Sequence, residues 1–159
     1  MPTLHLMCGK IASGKSTRAT SLAGEHSALL LSEDYWLARL YPDQIKSVGD
    51  YVRFAHRIRE VLGPLVIDLL AAGNNVVLDF PANTPADRQW LSGLAQAAKV
   101  PHRLHYLQID DDTCRGRLHA RNLRGEHDFA ATEAEFDLIT SYFQAPQADE
   151  GLDVVVYRL

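Results

Sequence analysis

One eight-residue stretch limits what this chain can become more than any other feature. Gly9-Lys10-Ile11-Ala12-Ser13-Gly14-Lys15-Ser16 satisfies G-x-x-x-x-G-K-[ST] at every defined position. The spacing has meaning only between a strand and a helix, and the flanks supply both. Thr3–Cys8 is a short apolar run that stops at Gly9, and Lys15–Ala23 has helical composition. In that setting the backbone N–H groups of Gly9 to Lys15 converge on an anion, a concavity that a Cβ at the glycine positions would obstruct. The following helix presents its positive end to the same charge. The spacing therefore predicts a phosphate-binding loop formed by Gly9, Lys10, Ile11, Ala12, Ser13, Gly14, Lys15, Ser16 and Thr17. Lys15 is expected to reach the β- and γ-phosphates of a nucleoside triphosphate, and the Ser16 hydroxyl to ligate Mg²⁺, a hard cation that keeps most of its waters. Of the four lysines in the chain, two lie in this loop.

The remaining pattern repeats strand then helix. Ala28–Leu31 is a second apolar run, followed by Ser32-Glu33-Asp34, any of which can cap a helix through Trp36, Leu37 and Leu40. From Tyr51 to Leu62 apolar residues recur at three- and four-residue steps; Gly63-Pro64 then interrupts, predicting a kinked helix or two helices in tandem before Gly73. Asn75–Phe80 is β-branched and short, Thr84-Pro85 reads as N-cap and first residue of a helix to about Ala98, and Arg103–Ile109 is a further strand. Asp110 or Asp111 caps a helix to about Arg124, Thr132-Glu133-Ala134-Glu135 fits a capping box opening a helix to Phe143, and Leu152–Tyr157 closes the series as a strand. Five strands interleaved with helices predict a parallel α/β sheet covered on both faces. At 159 residues, 47% of them hydrophobic, the chain suits one domain that folds alone or as an oligomer of that domain, with a short lid around residues 115–130.

Charge and composition narrow the function. Sixteen Lys and Arg against 20 Asp and Glu give a net charge of −4, so no global positive field draws the chain to nucleic acid or anionic lipid. The apolar stretches fall short of the ~20 residues that cross a bilayer. Cys8 and Cys114 show no paired or metal-ligand spacing, and the N-terminus has no leader pattern; a reducing, cytoplasmic compartment is the expectation. The histidines form no H-x-x-x-H or H-E-x-x-H pattern, so no zinc site is assigned.

Candidate chemistry gathers at the carboxyl edge of the sheet, where open α/β sheets bind ligands. Asp79 ends a strand there and is placed to hold an Mg²⁺-bound water; the alternative is a turn-forming Asp before Pro81. Asp34, just past the second strand, is the candidate base for an acceptor hydroxyl, with Glu33 as substitute and simple helix capping as the structural alternative. On the helix after Asp110, a turn of ~100° per residue groups Arg117, Arg121 and Arg124 on one face and puts Arg115 on the other. Arg117 and Arg121 can stabilise charge on a transferring phosphoryl and Arg124 can contact the nucleotide, or all three can form a solvated, salt-bridged face. Arg88 either contacts substrate or lies exposed, and Tyr35, Trp36, Tyr41, Tyr51 and Phe54, with Arg53 and Arg57, form an acceptor pocket or part of the core.

Taken together, the phosphate loop, Ser32-Glu33-Asp34, Val76–Asp79 with Arg88 after it, and the R-x-x-x-R-N run Arg117–Asn122 resemble the small P-loop kinases. Within these the likeness is to the AAA-type ATP-binding group that includes polynucleotide 5′-kinase domains, zeta toxins and chloramphenicol phosphotransferase. The resemblance implies strand order 2-3-1-4-5, Asp34 as the base and Arg117 and Arg121 as charge stabilisers. Ser32-Glu33-Asp34 departs from the group in lacking the arginine often found just downstream, Arg39 being the next available. The expectation is an ATP- and Mg²⁺-dependent phosphotransferase acting on a hydroxyl of a small molecule or nucleotide-like compound. Two alternatives stand beside it: a nucleotide-dependent switch or NTPase coupled to a protein partner, and a polynucleotide 5′-hydroxyl kinase, which the acidic net charge disfavours.

Overall fold

The computed structural model describes residues 1–125 and 131–158. In chain order the elements are β1 (Leu4–Cys8), α1 (Lys15–Glu25), β2 (Leu29–Ser32), α2 (Glu33–Leu40), α3 (Val48–Ala71), β3 (Val76–Pro81), α4 (Pro85–Ala98), β4 (His102–Leu107), α5 (Asp111–Arg124), α6 (Glu133–Ser141), a 3-10 turn (Ala148–Glu150) and β5 (Val154–Tyr157). All strand pairs are parallel, as the strand–helix alternation predicted, and the sheet order is β2-β3-β1-β4-β5, as the family resemblance implied.

Both faces of the sheet are covered, and the two-residue period of the central strands sorts their side chains between them. Leu4, Leu6 and Cys8 of β1 and Val76, Leu78 and Phe80 of β3 pack with Leu62, Val66 and Leu70 of α3 and Leu91 of α4. Met7 and Val77 point the other way, onto Ala19 and Leu22 of α1. The α1 face also carries polar groups. His5 and His105 are both 2% exposed; His5 Nδ1 lies 3.0 Å from His105 Nε2, and His105 Nδ1 lies 2.8 Å from the Tyr157 hydroxyl.

Gly63-Pro64 does not break the long helix. α3 runs unbroken from Val48 to Ala71 with Pro64 inside it. The missing N–H at Pro64 leaves the Glu60 carbonyl without its helical donor, but Glu60 and Pro64 lie on the exposed side, where water can serve that oxygen. Gly63 faces inward: a Cβ there would stand 3.1 Å from the Trp90 ring, so the glycine is set by the close approach of α3 to α4. The other helix starts follow the sequence reading. Thr84 accepts from the Asp87 N–H, Asp110 from the Thr113 N–H, and Thr132 with Glu135 forms the capping box. Of the predicted lid, residues 126–130 lie outside the described residues.

One irregularity shapes the carboxyl edge. Leu6 pairs with Leu78, but the next residue, Met7, pairs with Pro81: one step along β1 accompanies three along β3, so Asp79 and Phe80 are the two extra residues. Asp79 leaves the β1 ladder while keeping its place opposite Ser32 of β2.

Candidate active site

The phosphate-loop motif folds into a tight loop between β1 and α1. Gly14 has φ +102° and is the N-cap of α1, a conformation that favours glycine. A Cβ at Gly9 would come within 2.5 Å of Ser13 Oγ, so the two ends of the loop close on each other only because position 9 has no side chain. Ala12 holds φ +61°, and the Ser13 N–H donates to the Lys10 carbonyl at 3.0 Å. Ser13 Oγ is buried without a hydrogen-bond partner among the described residues. The Lys15 ammonium crosses the loop to the Gly9 carbonyl at 3.0 Å. Lys10 turns away: its ammonium pairs with Asp111 of α5 at 2.5 Å, so its part in the cradle is that of its backbone.

Directly past the loop, Ser16 Oγ donates to Asp79 Oδ2 at 2.7 Å. A hydroxyl and a carboxylate this close, at the first turn of α1 and the end of β3, form the hard-oxygen donor set that suits Mg²⁺ when phosphate oxygens and water supply the rest of its shell. Among the described residues no cluster of three or more His, Cys, Asp or Glu forms a separate metal cage.

Asp34 and Glu33 separate sharply. Ser32 takes the capping role at α2, its side chain accepting from the Tyr35 N–H at 3.3 Å, so neither acid is needed as the cap. Asp34 is half-buried, whereas Glu33 is 1% exposed and directed into the protein, which removes it as a substitute base. The Tyr51 hydroxyl donates to Glu33 Oε1, and Arg59 Nε lies 3.8 Å from Glu33 Oε2 while its Nη1 donates to Asp87 at 2.9 Å. Burial pushes the Glu33 carboxyl up to about 7, against the Tyr51 hydrogen bond and the Arg59 charge. The two acids are adjacent in sequence, and only the packing of α2 on α3 separates them.

The α5 arginines also divide as the helical period predicts. Arg117 Nη1 donates to the Ser13 carbonyl at 3.1 Å, which ties α5 to the loop. Arg121 is half-buried; burial lowers the pKa of its guanidinium and the Asp34 carboxylate opposes that shift, so the two lie in each other's field. Arg124 is exposed in the last turn of α5. Arg115, on the other face, pairs with Asp137 of α6 at 2.7 Å and with Asp112 at 3.7 Å. Arg117 thus ties α5 to the loop, Ser16 meets Asp79 beside it, and Arg121, one turn further along α5, lies under the influence of the Asp34 carboxylate.

Arg88 does not lie exposed, and its partners lie elsewhere. It is 1% exposed, with Nε donating to Glu150 Oε1 at 2.7 Å and Nη1 to the Ala82 and Gln144 carbonyls at 3.1 and 2.8 Å. It fastens the segment before β5 to the end of β3, a role that only long-range contacts reveal. The aromatic group splits as well. Tyr41 and Phe54 stack with centroids 4.2 Å apart, and with Trp36 and Tyr51 they pack against the core. Tyr35 alone is exposed, with the Arg39 guanidinium 3.7 Å from its ring centre. The sequence reading missed Asn83, whose amide meets both backbone polar groups of Gly9; the chain there offers only an Asn before Thr-Pro, which reads as a turn.

A family model described as an AAA domain matches residues 4–146. The chain belongs to that family. This AAA domain is similar over 99% of its length to a Chloroflexus aurantiacus protein whose structure is described as that of a kinase, with TM-score 0.78, 20% identity and 85% of that chain covered. It is similar to the APS kinase CysC of Mycobacterium tuberculosis, solved with AMPPNP and APS, with TM-score 0.65, 20% identity and 99% and 88% of the two chains covered. A chain of the Pnkp1/Rnl/Hen1 RNA repair complex aligns with 89% of this AAA domain and 43% of its own length, with TM-score 0.66 and 18% identity. No curated protein matches. At these identities the likeness establishes the fold, which is that of the P-loop kinases. Among the described residues no helix of this AAA domain is long and apolar enough to cross a membrane, and Cys8 and Cys114 are both buried and free.

Proposed function

We propose that this AAA domain transfers the γ-phosphoryl group of ATP to a hydroxyl of a small molecule or nucleotide-like acceptor. The observation that supports the reading is the bond of Arg117 to the phosphate loop, with Arg121 one turn further along α5 and under the influence of the Asp34 carboxylate. A loop that only binds nucleotide has no need of an arginine bonded to it and a second arginine, one turn on, beside a carboxylate. Ser16 and Asp79 would hold Mg²⁺, which when bound neutralises phosphate charge. Lys15 moves from the Gly9 carbonyl to the phosphates. Asp34 orients the acceptor hydroxyl and accepts its proton as the oxygen attacks, and Arg117 and Arg121 offset the charge that spreads over the transferring group. There is little covalent work for the protein in such a reaction, so catalysis rests on positioning and electrostatics.

The test is a transfer screen. The protein is incubated with Mg²⁺ and ATP radiolabelled in its γ-phosphate, against nucleosides, sugars, hydroxyl-bearing antibiotics, APS and 5′-hydroxyl oligonucleotides. Label transferred to a small acceptor, and lost in Asp34→Asn, supports the proposal. Label on oligonucleotide ends alone moves the assignment to a polynucleotide kinase. Acceptor-independent hydrolysis that Asp34→Asn leaves unchanged replaces it with a nucleotide-driven switch.

A further inference from the structure

We propose that Asn83 is a positioning residue of the phosphate loop, holding both backbone polar groups of Gly9 so that Lys15 is free to leave the Gly9 carbonyl for the nucleotide. The inference rests on the nucleotide-binding reading of the loop and assigns a residue to it that no motif contains.

The geometry leaves little choice. The Gly9 N–H donates to Asn83 Oδ1 at 3.0 Å, and Asn83 Nδ2 donates to the Gly9 carbonyl at 2.9 Å. A primary amide in this place satisfies both groups in only one orientation, because the oxygen must face the N–H and the nitrogen the carbonyl. The register slip of the β1–β3 ladder brings it there. Met7 pairs with Pro81, and two residues further on in each segment, just past the strand ends, Gly9 meets the Asn83 side chain. Had Leu6↔Leu78 continued without the slip, Gly9 would have met Pro81, which has no side-chain amide. Asn83 is itself held on both sides: its carbonyl accepts from the Gln144 N–H at 2.9 Å, and the preceding Ala82 carbonyl accepts from the buried Arg88.

The Gly9 carbonyl thus has two donors, the Asn83 amide and the Lys15 ammonium, and a carbonyl oxygen has two lone pairs to receive them. If Lys15 were its sole partner, moving that ammonium to a phosphate would leave a polar group of the loop unpaired, a cost set against nucleotide binding. With Asn83 in place the carbonyl stays paired whichever way Lys15 points. Asn83 also keeps Gly9 in the position that its close approach to Ser13 and Leu107 demands.

The experiment measures MgADP affinity by calorimetry and by ligand-induced thermal shift, the latter extending to millimolar dissociation constants, together with the melting temperature of each free protein. The variants are Asn83→Ala, Asn83→Asp, Lys15→Ala and the double Asn83→Ala/Lys15→Ala. Asn83→Ala is expected to weaken MgADP about tenfold and to lower the melting temperature modestly in both backgrounds, since the Gly9 N–H loses its acceptor whether or not nucleotide is bound. Asn83→Asp is expected to weaken it further, because its carboxylate faces the Gly9 carbonyl and draws Lys15 to itself. In the Lys15→Ala background the Asn83→Ala loss should shrink to roughly threefold or less, the non-additivity of two groups acting through one atom. Equal losses of affinity in both backgrounds would make Asn83 a scaffold residue and overturn the inference, as would wild-type affinity in Asn83→Ala or tighter binding by Asn83→Asp than by Asn83→Ala. A wild-type protein that binds no MgADP shows up separately, as failure of the nucleotide reading itself.

Discussion

Arg117 Nη1 donates to the carbonyl oxygen of Ser13 at 3.1 Å, so the first arginine of the α5 face is anchored on the phosphate loop. A face that merely stayed in water would have paired with acids, as Arg115 does on the opposite side with Asp137 and Asp112. The difference is measurable. Arg117→Lys and Arg121→Lys keep the charge and lose the planar fork, and each is expected to lower kcat at least tenfold with a small change in melting temperature. Arg115→Lys should leave kcat near the wild-type value, since exposed pairs contribute only about 0–1 kcal/mol. Steady-state kinetics of the three single variants, once an acceptor is in hand, decide it: equal kcat values would reduce α5 to scaffold.

Lys15 and Asp34 should separate binding from transfer. Among the described residues Lys15 Nζ bonds a backbone carbonyl of its own loop and nothing in the core, so Lys15→Ala is expected to leave the packing unchanged. It is expected to abolish most nucleotide turnover while leaving the circular dichroism spectrum and cooperative melt intact. Asp34→Asn, by contrast, should lose acceptor phosphorylation and keep MgADP affinity within a few-fold. Loss of MgADP binding in Asp34→Asn would contradict its assignment to the acceptor.

For Arg88 the expected effect falls on stability. It is fully buried and its guanidinium serves Glu150 and the carbonyls of Ala82 and Gln144. Arg88→Met keeps much of the volume and strands these acceptors, with a cost of about 3–5 kcal/mol typical of removing one partner from a buried pair. Arg88→Met/Glu150→Gln should recover part of that loss, because the uncompensated carboxylate is gone. Chemical denaturation of both variants measures it, and a loss in Arg88→Met below about 1 kcal/mol would show that the pair is dispensable.

The strands, the helices and the loop were legible because each depends on local signals, namely a fixed motif spacing, short β-branched runs, and caps such as Thr84, Asp110 and Thr132 that act within three residues, whereas the strand order came only with the family resemblance. The split of the arginines was legible for the same reason, since helical period alone puts Arg115 opposite Arg117. What escaped depends on partners far apart in the chain. Which of the two readings of Gly63-Pro64 holds, one helix or two in tandem, was open in the sequence: a single α3 passes through because the carbonyl that Pro64 leaves without a donor belongs to exposed Glu60 and because Gly63 admits Trp90. Arg88 is buried because Glu150, 62 residues later, accepts its charge. Asn83 reaches Gly9 across 74 residues through a register slip that no periodicity announces. Glu33 and Asp34, neighbours in sequence, differ in exposure because Tyr51 and Arg59 of α3 receive one of them.

That burial of Glu33 should be visible in the pH dependence of stability. The carboxyl is raised from 4.5 to about 7 in the folded protein, so the folded state holds a proton that the unfolded chain releases. The sign is that of a raised group: its contribution is fully present below pH 4.5 and is lost as pH rises through about 7, a loss of about 3 kcal/mol. The buried imidazoles act in the opposite sense. His5 and His105 are lowered from 6.5 to about 4, chiefly by burial, so their contribution is present above pH 6.5 and is lost as pH falls towards 4. Between pH 4.5 and 6.5 the one carboxyl offsets part of what the two imidazoles lose as pH falls. Glu33→Gln keeps an acceptor for the Tyr51 hydroxyl and cannot ionise, so it removes one effect and leaves the other. Its stability relative to wild type is expected to rise steadily from pH 4.5 to above 7, while its own fall on the acid side becomes steeper than that of the wild type. Thermal melts of both proteins across this range test it, and a stability difference that stays constant with pH would mean that Glu33 is already ionised throughout.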